Sequence, residues 1–247
     1  MKSAYAIQTV SLQLTTHLRY QENLDLLIEF IEANRDQELI VAPEVVLTGF
    51  DYAHMDTVAK FSVLALKSLK KIVNEQIVVL TLVLRKDDGF VNQAVVIHKH
   101  KVVHRQNKVK LFTLGGEQKF FKAGSTRGIK PFEINGVKFA ILICFELRFK
   151  ELWQRIEGAE VILIPARWGK LRKHHLEILS KGLAVMNQCY VIVSDSADSD
   201  MAKSSAIISP NGEVVMDDRQ EVISDTLVLR EVEKMRRYIE TGQQQSK

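Results

Sequence analysis

An α/β fold, with mixed sheets covered by helices in layers, is what the sequence predicts. Three observations predict it. Strand-like apolar runs alternate with helical patterns from one end of the chain to the other. Hairpin signals interrupt that alternation, so the sheets are expected to be mixed rather than wholly parallel. No linker or low-complexity stretch divides the 247 residues. They are expected to form a single domain, 1–247, with residues 241–247 (TGQQQSK) as a loose tail.

Residues 4–14 read as a strand. Residues 19–33 read as an amphipathic helix with Leu24, Leu27, Ile28 and Ile31 on one face. A short apolar run, 39–42, stops at Pro43. A second helix is expected over 58–73, where Val63, Leu66, Leu69 and Val73 recur at spacings of three and four. The run 77–84 (IVVLTLVL) is a buried strand, and Asp87-Asp88-Gly89 turns it back into 91–97, with 101–105 pairing on as a further strand. Residues 107–130 carry four glycines and no periodicity, so they read as a long loop with a purpose. Beyond it come strand 137–143, helix 149–157, strand 161–164, helix 172–187, strand 190–194, and a hairpin of 205–209 with 213–217 around Asn211-Gly212.

Composition narrows the function classes. The chain is 46% hydrophobic and 26% charged, with a formal net charge of +4 and both signs mixed along its length. That balance gives no reason to expect nucleic acid or an anionic membrane as a partner. No run reaches about 18 apolar residues, and the N-terminus alternates rather than forming a signal-peptide core. Two cysteines, Cys144 and Cys189, are too few for a disulfide framework, and a cytoplasmic setting is expected.

Three polar residues share one placement. Glu44 follows the end of a buried strand (ELIVAPE), Cys144 follows another (KFAILIC), and Lys108 lies just after VVHR at the mouth of the long loop. Residues beyond strand ends line the crevice where α/β proteins bind ligands. Each is costly to bury alone, so convergence would let carboxylate, ammonium and thiol satisfy one another. Such a set suits acyl transfer: a carboxylate as general base, a thiol as nucleophile, and an ammonium with a backbone N–H against an oxyanion. A helix start after Cys144 and a nearby lysine are expected to lower the thiol pKa. Taken singly, each residue also has a plain reading, as core thiol, helix cap or solvated lysine.

Several motifs point further: PEVVLTGF around Glu44, NKVKLF around Lys108, ICFELRF around Cys144, PARW followed by LAVMNQCYV, and SSAIISPNGEV near the end. Together, and in this order over about residues 4–230, they resemble the nitrilase (carbon–nitrogen hydrolase) superfamily. The resemblance implies a four-layer αββα sandwich and a Glu–Lys–Cys triad falling on Glu44, Lys108 and Cys144. It implies a second glutamate that positions substrate, Glu117 in GGEQKFFKAG, and a homodimer or larger homo-oligomer through helices 149–157 and 172–187. No metal and no organic cofactor is required. ELRF and NQCYV are most similar to the small amidases that act on ω-amides of dicarboxylic acids.

A substrate of that kind carries a free carboxylate, for which Arg148, Arg167 and Arg172 are the candidates, with Phe145 and Trp168 beside the nucleophile. The alternatives are an N-carbamoyl amine hydrolase with the same triad and a catalytically silent binding member. The chain also departs from the family pattern: Lys110 stands where His is frequent, Arg167 replaces Asn, Met186 replaces Glu, and DSADSDMAK lacks a Gly-rich form.

Other signals have plainer readings. His98, His100 and His104 fall on one face if 98–105 is a single strand, but no cysteine or carboxylate cluster completes a metal site, and a solvated hairpin face is expected. His174 and His175 raise a Cys–His alternative, yet sit on an amphipathic helix. Cys189 opens a buried strand as packing, and Phe120 and Phe121 read as core.

Overall fold

The computed structural model describes residues 6–87 and 89–239. Residues 4 and 5 of the expected first strand, Asp88 of the expected turn and the tail 241–247 lie outside them. In chain order the elements are β1 (Ala6–Leu12), α1 (Tyr20–Ala33), β2 (Leu39–Val41), α2 (Met55–Ile72), β3 (Ile77–Lys86), β4 (Gly89–His98), β5 (Lys101–Asn107), β6 (Phe132–Ile134), β7 (Val137–Ile141), α3 (Lys150–Arg155), β8 (Val161–Pro165), α4 (Lys173–Asn187), β9 (Tyr190–Ser194), β10 (Ala206–Ile208), β11 (Val214–Met216), β12 (Val222–Val228) and α5 (Leu229–Tyr238).

Two six-stranded sheets form, ordered β12-β1-β2-β3-β4-β5 and β11-β10-β9-β8-β7-β6. Each has a parallel trio at its centre, β1-β2-β3 and β7-β8-β9, with antiparallel strands outside. Strand parity explains the layering. Leu39, Val41, Ile77 and Val79 face the second sheet and join Phe139, Ile141, Val161 and Leu163 in one core. Their neighbours Ile40, Val78 and Leu80 point the other way, onto Leu24, Leu27 and Ile31 of α1 and Leu66 and Leu69 of α2. Residues Leu152 of α3 and Leu176, Leu183 and Ala184 of α4 pack with the second sheet. The result is the helix–sheet–sheet–helix sandwich.

Polar ties fix how the sheets face each other. Ser11 Oγ donates to Val193 O (2.5 Å), Ser194 Oγ donates to Leu12 O (2.6 Å), and Gln106 Nε2 donates to Ile141 O (3.0 Å). At the strand ends, Glu44 N donates to Ala166 O across the sheets (3.1 Å).

Some expectations are corrected. Val63 does not belong to the buried face of α2; that face is Met55, Val58, Ala59, Ser62, Ala65, Leu66 and Leu69, and at 100° per residue the small side chains Ser62 and Ala65 take the inner positions and turn Val63 outward. The long loop is built of single 3₁₀ turns at Thr113–Gly115, Glu117–Lys119 and Thr126–Gly128. Its return passes so close to the end of β5 that a Cβ on Gly124 would lie 2.6 Å from Asn107 O. The three histidines do not share a strand: Lys99 and His100 form a tight turn with positive φ, His98 is buried against Gln76 O, and His104 stacks on Phe132 at 3.8 Å. Strands β6 and β12 and helix α5 were not expected. β6 has three residues, the apolar pattern of β12 is broken by Ser224-Asp225, and α5 buries only Leu229 and Val232.

Candidate active site

Glu44, Lys108 and Cys144 converge. Glu44 follows β2 and Cys144 follows β7, strands of the parallel trios of the two sheets, while Lys108 follows the antiparallel edge strand β5. Lys108 Nζ donates to Glu44 Oε1 at 2.8 Å and to Glu117 Oε1 at 2.7 Å. Asn92 Nδ2 on β4 donates to the same Glu44 oxygen at 2.8 Å, while Lys108 N donates to Asn92 O. The second oxygen of Glu44 is buried and, among the described residues, has no hydrogen-bond partner.

The turns at Cys144 and Val45 are strained. Cys144 sits at φ 48° and Val45, one residue past Glu44, at φ 46°, both left-handed for residues with a Cβ. Such conformations cost on the order of 1–3 kcal/mol each. A hydrogen bond from Val45 N to Thr81 Oγ1 (2.7 Å) holds the first. The second opens a 3₁₀ helix, Cys144–Arg148, in which Glu146 reaches back to accept from Ile143 N at 2.7 Å. The other Glu146 oxygen accepts from Val109 N at 2.6 Å. A single buried carboxylate thus ties the residue after Lys108 to the residue before Cys144.

Burial dominates the electrostatics. It raises the Cys144 thiol well above its ordinary value, helped by the Glu44 charge and opposed by Lys108 and the Arg167 backbone N–H. The expected lowering of this thiol is therefore corrected: the cation is present, but desolvation and the carboxylates outweigh it. Lys108 is raised despite complete burial, with Glu44 the leading cause. Burial also raises Glu117, and pushes Glu146 up to about 7 and Tyr52 up to about 12.

A cavity of about 270 Å³ opens onto these groups, lined by Glu44, Glu117 and Cys144 at its floor. Every residue expected from the sequence to touch substrate borders it: Glu117, Phe145, Arg148, Arg167 and Trp168. Their settings differ. Arg167 forms an ion pair with Asp198 and donates to Thr16 Oγ1 (2.8 Å). Arg148 donates to His175 Nδ1 (2.9 Å) and lies over the Trp168 ring at 4.9 Å, so its partner is an imidazole rather than a neighbouring acid. Phe145 packs edge-on to Phe149, and Trp168 N donates to Asp195 Oδ1 at 2.8 Å. Phe120 stacks on Tyr52, and Phe121 is core.

Sequence reasoning missed Asn92, Glu146, Asp195 and the wall residues Phe50, Tyr52, Phe112 and Met201. Asn92 had a signal, an amide inside an otherwise apolar strand, and Asp195 stands just past a buried strand end, as Glu44 does. Among the described residues no cluster of His, Cys, Asp or Glu could hold a metal ion, and no helix is long and apolar enough to cross a membrane.

Known proteins give the same picture. The carbon–nitrogen hydrolase family profile matches residues 9–237. The chain is 31% identical over 233 residues to the 2-oxoglutaramate amidase of Bacillus subtilis (strain 168), covering 88% of this chain and 89% of that protein. It is 27% identical over 191 residues to the omega-amidase YafV of Escherichia coli (strain K12), covering 75% and 74%. Its fold matches Saccharomyces cerevisiae Nit3, of the nitrilase superfamily, with a TM-score of 0.83 at 22% identity over 98% of this chain and 97% of that one. By profile, sequence and fold, the chain belongs to the carbon–nitrogen hydrolase family.

Proposed function

We propose that the protein is an amidase that hydrolyses a small ω-amide of a dicarboxylic acid through a thioester on Cys144. The observation that carries this reading is Lys108 Nζ bridging Glu44 and Glu117 in the floor that Cys144 completes. The names of the two amidase relatives support the substrate class.

The proposed reaction uses this arrangement. Because the thiol stays protonated at neutral pH, Sγ attacks the amide carbon as Glu44 takes its proton. The oxyanion forms against the Lys108 ammonium and a backbone N–H near Phe145. Glu44 then hands the proton to the leaving nitrogen, ammonia departs, and the thioester remains. Water enters, gives a proton to Glu44 as it attacks, and the intermediate collapses to the free acid and the Cys144 thiol. Glu117 holds Lys108 from the far side and faces the substrate. Phe145, Trp168, Arg148 and Arg167 form its walls.

Two copies are proposed to associate through α4 and β11, where Ile178, Val185, Met186 and Val214–Met216 expose apolar surface. The cytoplasm is the proposed setting, in keeping with two buried free thiols.

Ammonia release from a panel of ω-amides and N-carbamoyl amines, with Cys144→Ala beside the wild type, tests the activity. Release from ω-amides that vanishes in the variant is expected. Carbon dioxide accompanying ammonia would move the assignment to a carbamoyl hydrolase, and silence across the panel would count against an enzyme.

A further inference from the structure

The parallel strands β7, β8 and β9 end side by side, and the chain runs from them into Cys144, Arg167 and Asp195 in turn. Asp195 stands just past the last pair of β8 and β9, Pro165 with Ser194. Its side chain is fully buried, and the reaction above does not use it. Among the described residues no cation lies at ion-pair distance from it, because the Arg167 guanidinium is committed to Asp198. A lone carboxylate in such a place is costly to keep, and burial pushes its pKa up to about 7.

What this carboxylate holds is backbone. Its Oδ1 accepts from Trp168 N at 2.8 Å and its Oδ2 from Ser204 N at 3.3 Å. The segment that it grips, residues 166–168, is pinned at other groups as well. Ala166 N donates to Ser194 O (2.7 Å), Ala166 O accepts from Glu44 N (3.1 Å), and Trp168 O accepts from Ala202 N (2.7 Å). The segment's remaining N–H, that of Arg167, donates to the Cys144 sulfur and opposes the rise of the thiol pKa. Ala166 O and Arg167 N belong to one peptide group, which is planar and turns as a unit. A single plane therefore receives the backbone of the base, Glu44, on one edge and meets the nucleophile on the other. The next N–H along the chain is the one that Asp195 fixes.

We propose that Asp195 is a positioning residue for the nucleophile: by holding Trp168 N it fixes the plane of the Ala166–Arg167 peptide and keeps Arg167 N–H on the Cys144 sulfur. The inference rests on the amidase reading above and adds a group that acts only through backbone. Without an acceptor at position 195, Trp168 N–H would be buried and unpaired, and the segment would turn to satisfy it. Arg167 N–H would leave the sulfur with that turn. The charge that develops on sulfur as Glu44 takes its proton would then lack a fixed donor.

The test compares Asp195→Leu with Asp195→Asn, side chains of similar size of which only the second offers Trp168 N an oxygen. Two quantities are read: kcat and KM with glutaramate as the ω-amide, and the pH profile of Cys144 alkylation by iodoacetamide without substrate. In Asp195→Leu, kcat should fall about tenfold or more with KM changed less, and the alkylation profile should move to higher pH. Asp195→Asn should recover most of kcat and return the profile toward that of the wild type. Asp195→Ala, which removes the acceptor without adding bulk, carries the same expectations as leucine should the leucine variant fail to fold. A folded variant without the acceptor that keeps the wild-type kcat and profile would overturn the proposal. Asp195→Asn impaired as much as Asp195→Leu would overturn it too, since the charge rather than the acceptor would then be what matters. No ammonia from the wild type with any ω-amide would sink the amidase reading, while the alkylation profiles would still decide the part played by Asp195.

Discussion

Lys108 Nζ lies 2.8 Å from Glu44 Oε1 with both side chains entirely buried, so neither charge has any partner in solvent. Glu117 shares the same ammonium at 2.7 Å. Removing the cation would leave two carboxylates facing each other in an apolar setting. Loss of one member of a buried pair costs about 3–5 kcal/mol. Lys108→Met is therefore expected to lower the melting temperature as well as abolish turnover, and calorimetry on the purified variant reads the first effect. An unchanged melting temperature would mean that the carboxylates find other partners.

Glu146 joins the two halves of the site through Val109 N and Ile143 N. Its carboxyl is raised to about 7 by burial, above the ordinary carboxylate range. The folded state therefore binds this proton more tightly than the unfolded chain does. Its stabilising effect is fully present below the unfolded pKa, near 4.3, and is lost as pH rises through about 7. Asp195, also raised to about 7 by burial, acts in the same direction. Stability measured by urea unfolding should fall by a few kcal/mol between about pH 4.5 and pH 7.5, and Glu146→Gln should flatten part of that slope. The same variant offers an amide N–H where a backbone N–H needs an acceptor. Its kcat should drop at least about tenfold, with KM changed less.

Cys144 tests whether burial or cation prevails. Its thiol is raised, with burial the largest cause. In the absence of substrate, alkylation by iodoacetamide should be slower than that of free cysteine at neutral pH. Its rate should keep climbing at pH values where free cysteine has levelled off. A rate already at its plateau near neutrality would show a preformed thiolate, and Glu44 would not be needed to start the reaction.

Gly169→Ala probes the cavity wall, where Arg172 stands, without touching the floor. The Gly169 backbone lies at φ −66°, open to any residue, so the new methyl acts only by displacing the Arg172 guanidinium 2.8 Å away. The expected result is a KM for glutaramate raised about tenfold with little change in melting temperature. A fall in kcat alone would place Arg172 elsewhere in the reaction.

The sequence carried most of the floor and little of the walls. Glu44, Lys108 and Cys144 were legible because each is a costly group placed just past a strand, and the strands themselves are continuous apolar runs. Glu146 sat within a recognised motif, yet its role depends on a contact 37 residues away in the chain, which no local pattern encodes. Tyr52, Phe112 and Met201 read as ordinary apolar positions, since only the folded loop shows that they face a cavity. Among the arginines, sequence could nominate Arg148, Arg167 and Arg172 but could not rank them. The ion pair from Arg167 to Asp198 separates them. Helix α5 escaped notice because its charged residues outnumber the two side chains it buries.

The central claim is that the acyl group passes through Cys144, and hydroxylamine measures that most directly. A thioester partitions between water and hydroxylamine after ammonia has left. With an ω-amide as substrate, rising hydroxylamine should convert free acid into the corresponding hydroxamic acid, and Cys144→Ala should form neither product, while Cys189→Ala behaves as the wild type does. Hydroxamate or free acid produced by Cys144→Ala would contradict the account.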